Sequence, residues 1–179
     1  IFMAEFGKEL NSEDPNAAQI DIAGMMQAMR GRPYLIGASL WTFNDYRSFW
    51  QAGPTWSTPP SQNRAWGIVN TFRQKKRPFY DFKREFAPVQ GFAVAMTGDQ
   101  AARVQFSPRD SFDIPAYPLR DYRLVWAGFG ANDSALTGGW FELPELLPGG
   151  EGWSGEFGWE NEGLTKLEVH LLDPQGYSV

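Results

Sequence analysis

The sequence predicts an α/β segment followed by an all-β domain. Apolar runs alternate with helix-like segments in the first half of the chain, an order typical of parallel α/β proteins. After Ala87 and Pro88 the pattern changes to short alternating runs separated by Pro, Gly, Asp and Asn, which is typical of an antiparallel sandwich. We therefore expect two domains, residues 1–88 and 89–179.

The α/β segment begins with IFMAEF, residues 1–6, which predicts a short strand buried on both faces. Asp14 followed by Pro15 predicts a helix start, and Gly31 is a suitable C-terminal cap. The predicted apolar stripe of this helix consists of Ala17, Ile20, Gly24 and Ala28.

A second apolar strand is predicted over residues 34–43, YLIGASLWTF, and polar residues end it. The stretch 46–77 lacks a regular pattern, and a loop of this length is uncommon unless it is functional. Pro78 then suits the first turn of a second helix, which places Phe79, Phe82 and Phe86 on one side. Because two parallel strands cannot bury their faces alone, we expect an internal piece of a longer protein.

The second domain is predicted to be an immunoglobulin-like or fibronectin-like β-sandwich. Its alternating runs are FAVAM, ARVQF, YRLVWA, GWFEL, WSGEFGW and LTKLEVHLL. Its tryptophans are expected in the core or in an interface, with sugar-binding surfaces as the alternative: Trp126, Trp140, Trp153 and Trp159. His170 alternates with leucines and is expected to face outward.

Composition and charge restrict the class of function. The 179 residues are 42% hydrophobic and 21% charged, as in an ordinary globular protein. A net charge of −5 argues against a nucleic-acid partner, and no apolar run is long enough to predict a membrane span. The basic run 73–77 is interpreted as a solvated loop. With no cysteine and one histidine, thiolate and His-rich metal sites are excluded, and we predict no metal and no cofactor.

Candidate catalytic residues fall at the predicted ends of the two parallel strands, where barrels place their catalytic groups. A carboxylate such as Glu5 can act there as nucleophile or acid/base on a glycosidic bond. Trp41 can stack on a sugar ring, and Asn44 or Asp45 can bind its hydroxyl groups. Each residue also has a structural interpretation: a salt bridge or helix cap for Glu5, and core packing for Trp41.

Taken together, these motifs resemble glycoside hydrolase family 2, which includes β-galactosidases, β-glucuronidases and β-mannosidases. GASLWTFNDYRS, followed by PPSQNRAWGIVNTFRQKKRPFYDFKREFAPV, is similar to the end of the family's catalytic barrel. FMAEFG is similar to the preceding barrel strand, whose Glu-Tyr/Phe-Gly/Ala motif carries the nucleophile. The resemblance implies the last two βα units of a (β/α)8 barrel over residues 1–88, joined to an immunoglobulin-like sandwich.

The resemblance further implies that Glu5 is the nucleophile of a retaining β-glycosidase and that Trp41 lines the −1 subsite. Retaining chemistry needs an acid/base carboxylate about 5–5.5 Å from the nucleophile, and the family carries it on an earlier strand. Glu9 and Glu13 are interpreted as charges at the helix entry. We therefore expect a carbohydrate substrate, a requirement for the upstream remainder of the barrel, and no activity for this segment alone.

Departures from the family's subgroups bear on the sugar. Glucuronidases carry Asn-x-Lys in the last loop, whereas Asn63 is followed here by Arg64 and Ala65, which disfavours a glucuronide. Galactosidases have His three residues after the nucleophile and a metal-ligating Asn before the loop glycine, where this sequence has Lys8 and Trp66. We still favour a β-galactosidase over a β-glucuronidase. The loop tryptophans can shape the aglycone side or pack the loop on the barrel: Trp50, Trp56 and Trp66.

Two alternatives stay open. The chain can be a non-catalytic carbohydrate-binding or interaction module whose functional part is the sandwich. It can also be an inactive homologue of a glycosidase. An Asn-Glu dipeptide at a strand end within an upstream barrel would favour the enzyme.

Overall fold

The computed structural model describes residues 1–8, 20–48 and 62–179. The chain divides into two compact units, Ile1–Phe86 and Ala87–Val179. Strands predominate in the described residues, and both of their α-helices belong to unit 1. Neither of these helices has the length and apolar character that crossing a bilayer requires.

Unit 1 contains four short strands and two helices in its described residues. In chain order its elements are β1 (Phe2–Phe6), α1 (Ile22–Met29), β2 (Gly37–Leu40), β3 (Tyr46–Arg47), β4 (Asn63–Arg64) and α2 (Arg77–Phe86). β1 and β2 pair in parallel, whereas β3 and β4 are antiparallel. The predicted order of strand, helix, strand and helix is confirmed, and Pro78 lies in the first turn of α2. The stretch 46–77, which the sequence predicts as a loop, contains β3 and β4 among its described residues.

The prediction that β1 is buried on both faces is wrong. Phe2 is 55% exposed and Met3 is 38% exposed. Within the described residues β1 pairs with β2 alone, so much of its apolar surface has no neighbour to cover it. β2 is also shorter than the predicted run 34–43. Trp41 still bonds to β1, but Thr42 and Phe43 bond to residues 66–69 instead.

Helix α1 starts later than the Asp-Pro motif predicts. Residues 14 and 15 lie outside the described ranges, but Asp21 precedes the helix and caps it, since its carboxylate accepts a hydrogen bond from Gly24 N at 2.8 Å. The buried face is formed by Ile22, Met26 and Met29. The predicted stripe fails at Gly24 and Ala28, which are exposed, because burying the larger Ile and Met side chains removes more apolar surface from water. Ala17 lies outside the described residues.

Helix α2 joins the end of β1 to the end of α1. The Phe86 ring stacks on Phe82 at 4.1 Å and on Phe6 of β1 at 6.2 Å between ring centroids. Arg30, the C-cap of α1, forms an ion pair with Glu85 at 2.6 Å. These contacts hold the C-terminal end of β1 in place.

Unit 2 consists of six strands in two antiparallel sheets. They are β5 (Val89–Gly98), β6 (Ala101–Pro108), β7 (Arg123–Phe129), β8 (Ala135–Glu142), β9 (Trp153–Gly158) and β10 (Lys166–Leu172). The sheet orders are β5-β6-β9 and β10-β7-β8. Each of the six alternating runs in the sequence falls on one of these strands, so their prediction as β-structure is confirmed.

Both sheets contribute to one hydrophobic core. Its buried residues include Ala102, Val104, Phe106 and Phe157 from the first sheet and Leu124, Trp126 and Leu171 from the second. The Trp126 and Phe157 rings stack with their centroids 4.4 Å apart. Unit 2 is therefore a two-layer, all-antiparallel structure with its core between the layers.

Candidate active site

Glu5 and Trp41 lie at the same end of the parallel strand pair. Phe6 of β1 is in register with Leu40 of β2, and Trp41 N donates a hydrogen bond to Phe6 O at 2.8 Å. Since the strands run in parallel, their C-terminal ends share one edge. The structure thus brings together the two residues that the sequence singles out first.

The pairing of β1 with β2 is irregular at Glu5. Met3 is opposite Ala38 and Phe6 is opposite Leu40, so two residues of β1 face a single residue of β2 between these pairs. Such bulges interrupt the ladder and redirect the side chains at the irregularity. The sequence FMAEF contains no signal for it.

Gly7 lets the backbone after Glu5 approach the backbone of Trp41. A Cβ built at Gly7 would overlap the Trp41 carbonyl oxygen, and Gly7 has φ +151°. Gly7, two residues after Glu5, is therefore required because the two backbones are in close contact at the strand end. The Trp41–Thr42 peptide bond, which comes next, is cis.

The Trp41 side chain is 44% exposed. Its Nε1 donates to the Tyr46 hydroxyl at 3.4 Å, and the two rings meet edge to face at 6.1 Å. Tyr46 thus holds the indole from one side and leaves part of its surface in solvent. An indole held in this way offers an apolar surface to a ligand.

The segment that follows Trp41 is bonded to residues 66–69. Thr42 N donates to Trp66 O at 3.4 Å, and Val69 N donates to Phe43 O at 2.9 Å. Trp66, which the sequence predicts to contact a ligand, therefore bonds to Thr42 through its backbone carbonyl. Its indole Nε1 is buried and has no hydrogen-bond partner in the described parts of the chain.

Asp45 is directed into unit 1. The residue is 6% exposed, and its carboxylate accepts hydrogen bonds from Gly67 N at 2.8 Å and from Lys76 Nζ at 2.6 Å. The interpretation of the basic run 73–77 as a solvated loop is therefore wrong for Lys76. With these two partners, Asp45 positions the segment that follows β2.

Asn44 uses both ends of its amide inside the protein. Its Nδ2 donates to Asp45 O at 2.8 Å, and its Oδ1 accepts from Arg73 at 3.1 Å. The Arg73 guanidinium also lies 5.9 Å from the centroid of the Phe43 ring. Sequence reasoning did not select Arg73 or Phe43, although Phe43 is exposed next to two candidate residues.

Asn63 and Arg64 form β4 and point in different directions. Asn63 is exposed opposite Arg47, whereas Arg64 is buried opposite Tyr46. β4 thus directs these two neighbouring side chains to opposite sides. Trp50 and Trp56 lie outside the described residues.

Glu5 differs from the other carboxylates in the described part of unit 1. The others have partners there: Asp21 with Gly24 N, Asp45 with Lys76, Asp81 with Arg84 and Glu85 with Arg30. Glu5 is exposed, and no described residue donates a hydrogen bond to it or forms an ion pair with it. Glu9 and Glu13 are not among the described residues. An exposed carboxylate of this kind can attack a carbon centre or accept a proton.

The four tryptophans of unit 2 have different surroundings. Trp126 and Trp159 are buried, and Trp153 packs against the core at partial burial. Trp140 is 59% exposed, so the expectation of core packing does not hold for this residue. His170 is exposed on β10, as its alternation with leucines predicts.

No protein-family model matches the chain, and a search of curated proteins gives no match.

Proposed function

We propose that this chain carries the nucleophile of a retaining β-glycosidase similar to glycoside hydrolase family 2. The observation that supports the proposal is the position of Glu5, an exposed carboxylate at the strand edge where Trp41 begins the next segment. The motifs FMAEFG and GASLWTFNDYRS add the resemblance to the family.

In the proposed reaction the Glu5 carboxylate attacks the anomeric carbon of a β-glycoside. The bond from that carbon to the leaving oxygen breaks while an acid/base residue protonates this oxygen. A covalent glycosyl-Glu5 ester results. Water then attacks the same carbon, gives its proton to the acid/base residue and releases Glu5.

The acid/base carboxylate is assigned to a part of the barrel other than residues 1–179. Retaining enzymes place it about 5–5.5 Å from the nucleophile. The remaining described carboxylates of unit 1 cap α1 or form ion pairs, and none is left for this role. We therefore propose that these residues need the rest of the barrel for activity.

The fold supports the proposal at a coarse level. The β1-α1-β2-α2 order corresponds to two consecutive βα units, which we assign to the end of a (β/α)8 barrel. The two antiparallel sheets around one core are consistent with an immunoglobulin-like domain.

Roles in the proposed sugar site follow from exposure and bonding. Trp41 stacks on the sugar ring, and the exposed Asn63 binds hydroxyl groups. Asn44 and Asp45 support the strand end through their internal hydrogen bonds. Trp66 bonds to this segment through its backbone carbonyl, and its indole Nε1 is buried. Ala65 at the position of the glucuronidase lysine favours a neutral sugar, so a β-galactoside is our first candidate.

The test uses the full-length protein that contains this sequence, with aryl β-galactoside, β-glucuronide, β-mannoside and β-glucoside substrates. Glu5→Ala should abolish turnover, and azide should restore it and give an α-glycosyl azide. Asp81→Ala, which removes a carboxylate of α2 paired with Arg84, is the matched control and should keep full activity. Retention of most activity by Glu5→Ala would refute the assignment.

A further inference from the structure

Trp140 is on the side of its sheet that faces away from the core of unit 2. Its strand neighbour Phe141 is opposite the buried Leu124, whereas Trp140 is opposite Val125, which is only partly buried. Since successive side chains of a strand point to opposite faces, Trp140 belongs to the outer face. An indole with 59% of its surface exposed there needs an explanation beyond core packing.

Two adjacent cross-strand rows of the outer face surround the indole. The first row is Trp140, Val125 and His170, and the second is Gly138, Ala127 and Glu168. Gly138 and Ala127 are small, so little side-chain bulk covers the sheet beside the indole. The rows extend from β8 to β10, a width of about 9–10 Å at the usual strand spacing. We call these six residues the Trp140 face.

Polar and charged residues of β10 border Ala127 and Val125. Glu168 pairs with Lys166 at 2.8 Å, and His170 Nε2 lies 3.6 Å from Glu168. Acceptors and donors are thus present together, and the opposite charges partly cancel. A neutral ligand with many hydroxyl groups suits such a border better than a polyanion does.

The apolar part of this face is small. The next row on the other side of Trp140 contains Arg123, Glu142 and Leu172, so two charged residues flank the indole there. The row beyond Ala127 pairs Phe129 with Lys166, whose Nζ lies 5.1 Å from the centroid of that ring. A stable protein interface commonly buries about 800 Å² per partner around an apolar centre. A single indole beside two small residues is closer in size to one sugar ring.

We propose that the Trp140 face is a non-catalytic binding site for a neutral carbohydrate. The C–H side of a sugar ring stacks on the Trp140 indole above Ala127 and Gly138. Hydroxyl groups of the ring donate to the Glu168 carboxylate and bond to His170. The site lies in unit 2 and does not depend on the role of Glu5.

The test is affinity electrophoresis of the full-length protein in gels that contain β-1,4-galactan, mixed-linkage β-glucan or galactomannan. The wild type should be retarded by at least one of these. Trp140→Ala should weaken that binding about tenfold or more, as truncation of a central aromatic anchor does, and Trp140→Phe should keep part of it. Phe112→Ala removes an aromatic residue of similar exposure, 61%, and should bind as the wild type does.

Three results would overturn the proposal: no retardation of the wild type in any gel, equal retardation of Trp140→Ala, or concentration-dependent self-association that Trp140→Ala abolishes. The last result would identify the face as an interface between copies. Binding by the Glu5→Ala variant separates the two proposals, because it should persist whether or not Glu5 is the nucleophile.

Discussion

Lys76 donates a hydrogen bond to the Asp45 carboxylate at 2.6 Å and thereby ties the residue before α2 to the segment after β2. The same carboxylate oxygen accepts from Gly67 N. The two side chains are 22% and 7% exposed. This ion pair therefore fixes the segment that contains Trp41 and Asn44 to the residue that precedes α2.

Lys76→Met should destabilise the contact between the segment after β2 and residues 66–69. Removal of one partner leaves the buried Asp45 charge without its counter-ion, which costs about 3 kcal/mol. Exchange of the Gly67 amide hydrogen should then be about 100-fold faster, as measured by NMR. Lys75→Met is the control, since Lys75 lies over Phe79 at 4.8 Å and its loss should cost less than about 1 kcal/mol. Equal exchange in both variants would contradict the role of Lys76.

Gly7→Ala should displace the Trp41 backbone, because the new Cβ would overlap the Trp41 carbonyl oxygen. We expect a loss of about 1–3 kcal/mol, as overpacking generally costs, and a shift of the Trp41 indole N–H resonance. Gly98→Ala is the matched control, since a Cβ at Gly98 meets no atom within 4 Å. An unchanged Trp41 resonance in Gly7→Ala would argue against the close contact.

Arg109→Met should destabilise unit 2. Arg109 donates to Ala87 O at 2.6 Å and pairs with Asp113 at 3.2 Å, and both charged side chains are less than one-tenth exposed. Loss of the cation should cost about 3–5 kcal/mol in urea unfolding.

The control for Arg109 is Arg103→Met. Arg103 pairs with Glu156 at the same distance of 3.2 Å, but these side chains are 53% and 50% exposed. Its loss should cost about 1 kcal/mol or less. Similar losses for the two arginines would show that burial does not set their contribution.

Unit 2 should become less stable at alkaline pH because of Tyr122. Burial, and secondly the hydrogen bond with Tyr117, raises the pKa of the Tyr122 phenol in the folded chain. The unfolded chain loses this proton near about pH 10 and the folded chain retains it, so stability falls as pH rises above that value.

The Tyr122 contribution can be measured by urea unfolding between about pH 9 and 11. One retained proton gives a slope of at most about 1.4 kcal/mol per pH unit. Tyr122→Phe should reduce the decline in the free energy of unfolding by up to that amount. An identical pH dependence of wild type and variant would contradict the prediction.

The strands of unit 2 could be predicted from the sequence because alternation is a local property. Each run places apolar residues on every second position, and turn residues separate the runs. The start of α1 was harder to predict from the sequence than the strands of unit 2. Asp21 caps the helix although Asp14 and Pro15 carry the stronger sequence signal, and packing of Ile22 and Met26 selects the buried face.

The sequence by itself determined that Glu5 and Trp41 lie near the ends of apolar runs and that residues 89–179 contain strands. Only the tertiary structure decided that Asp45 points inward, because its partner Lys76 lies 31 residues further along the chain. It also decided that Trp126 is buried while Trp140 is exposed. Side-chain alternation depends on neighbours in sequence, whereas burial and ion pairing depend on which distant segments the fold brings together.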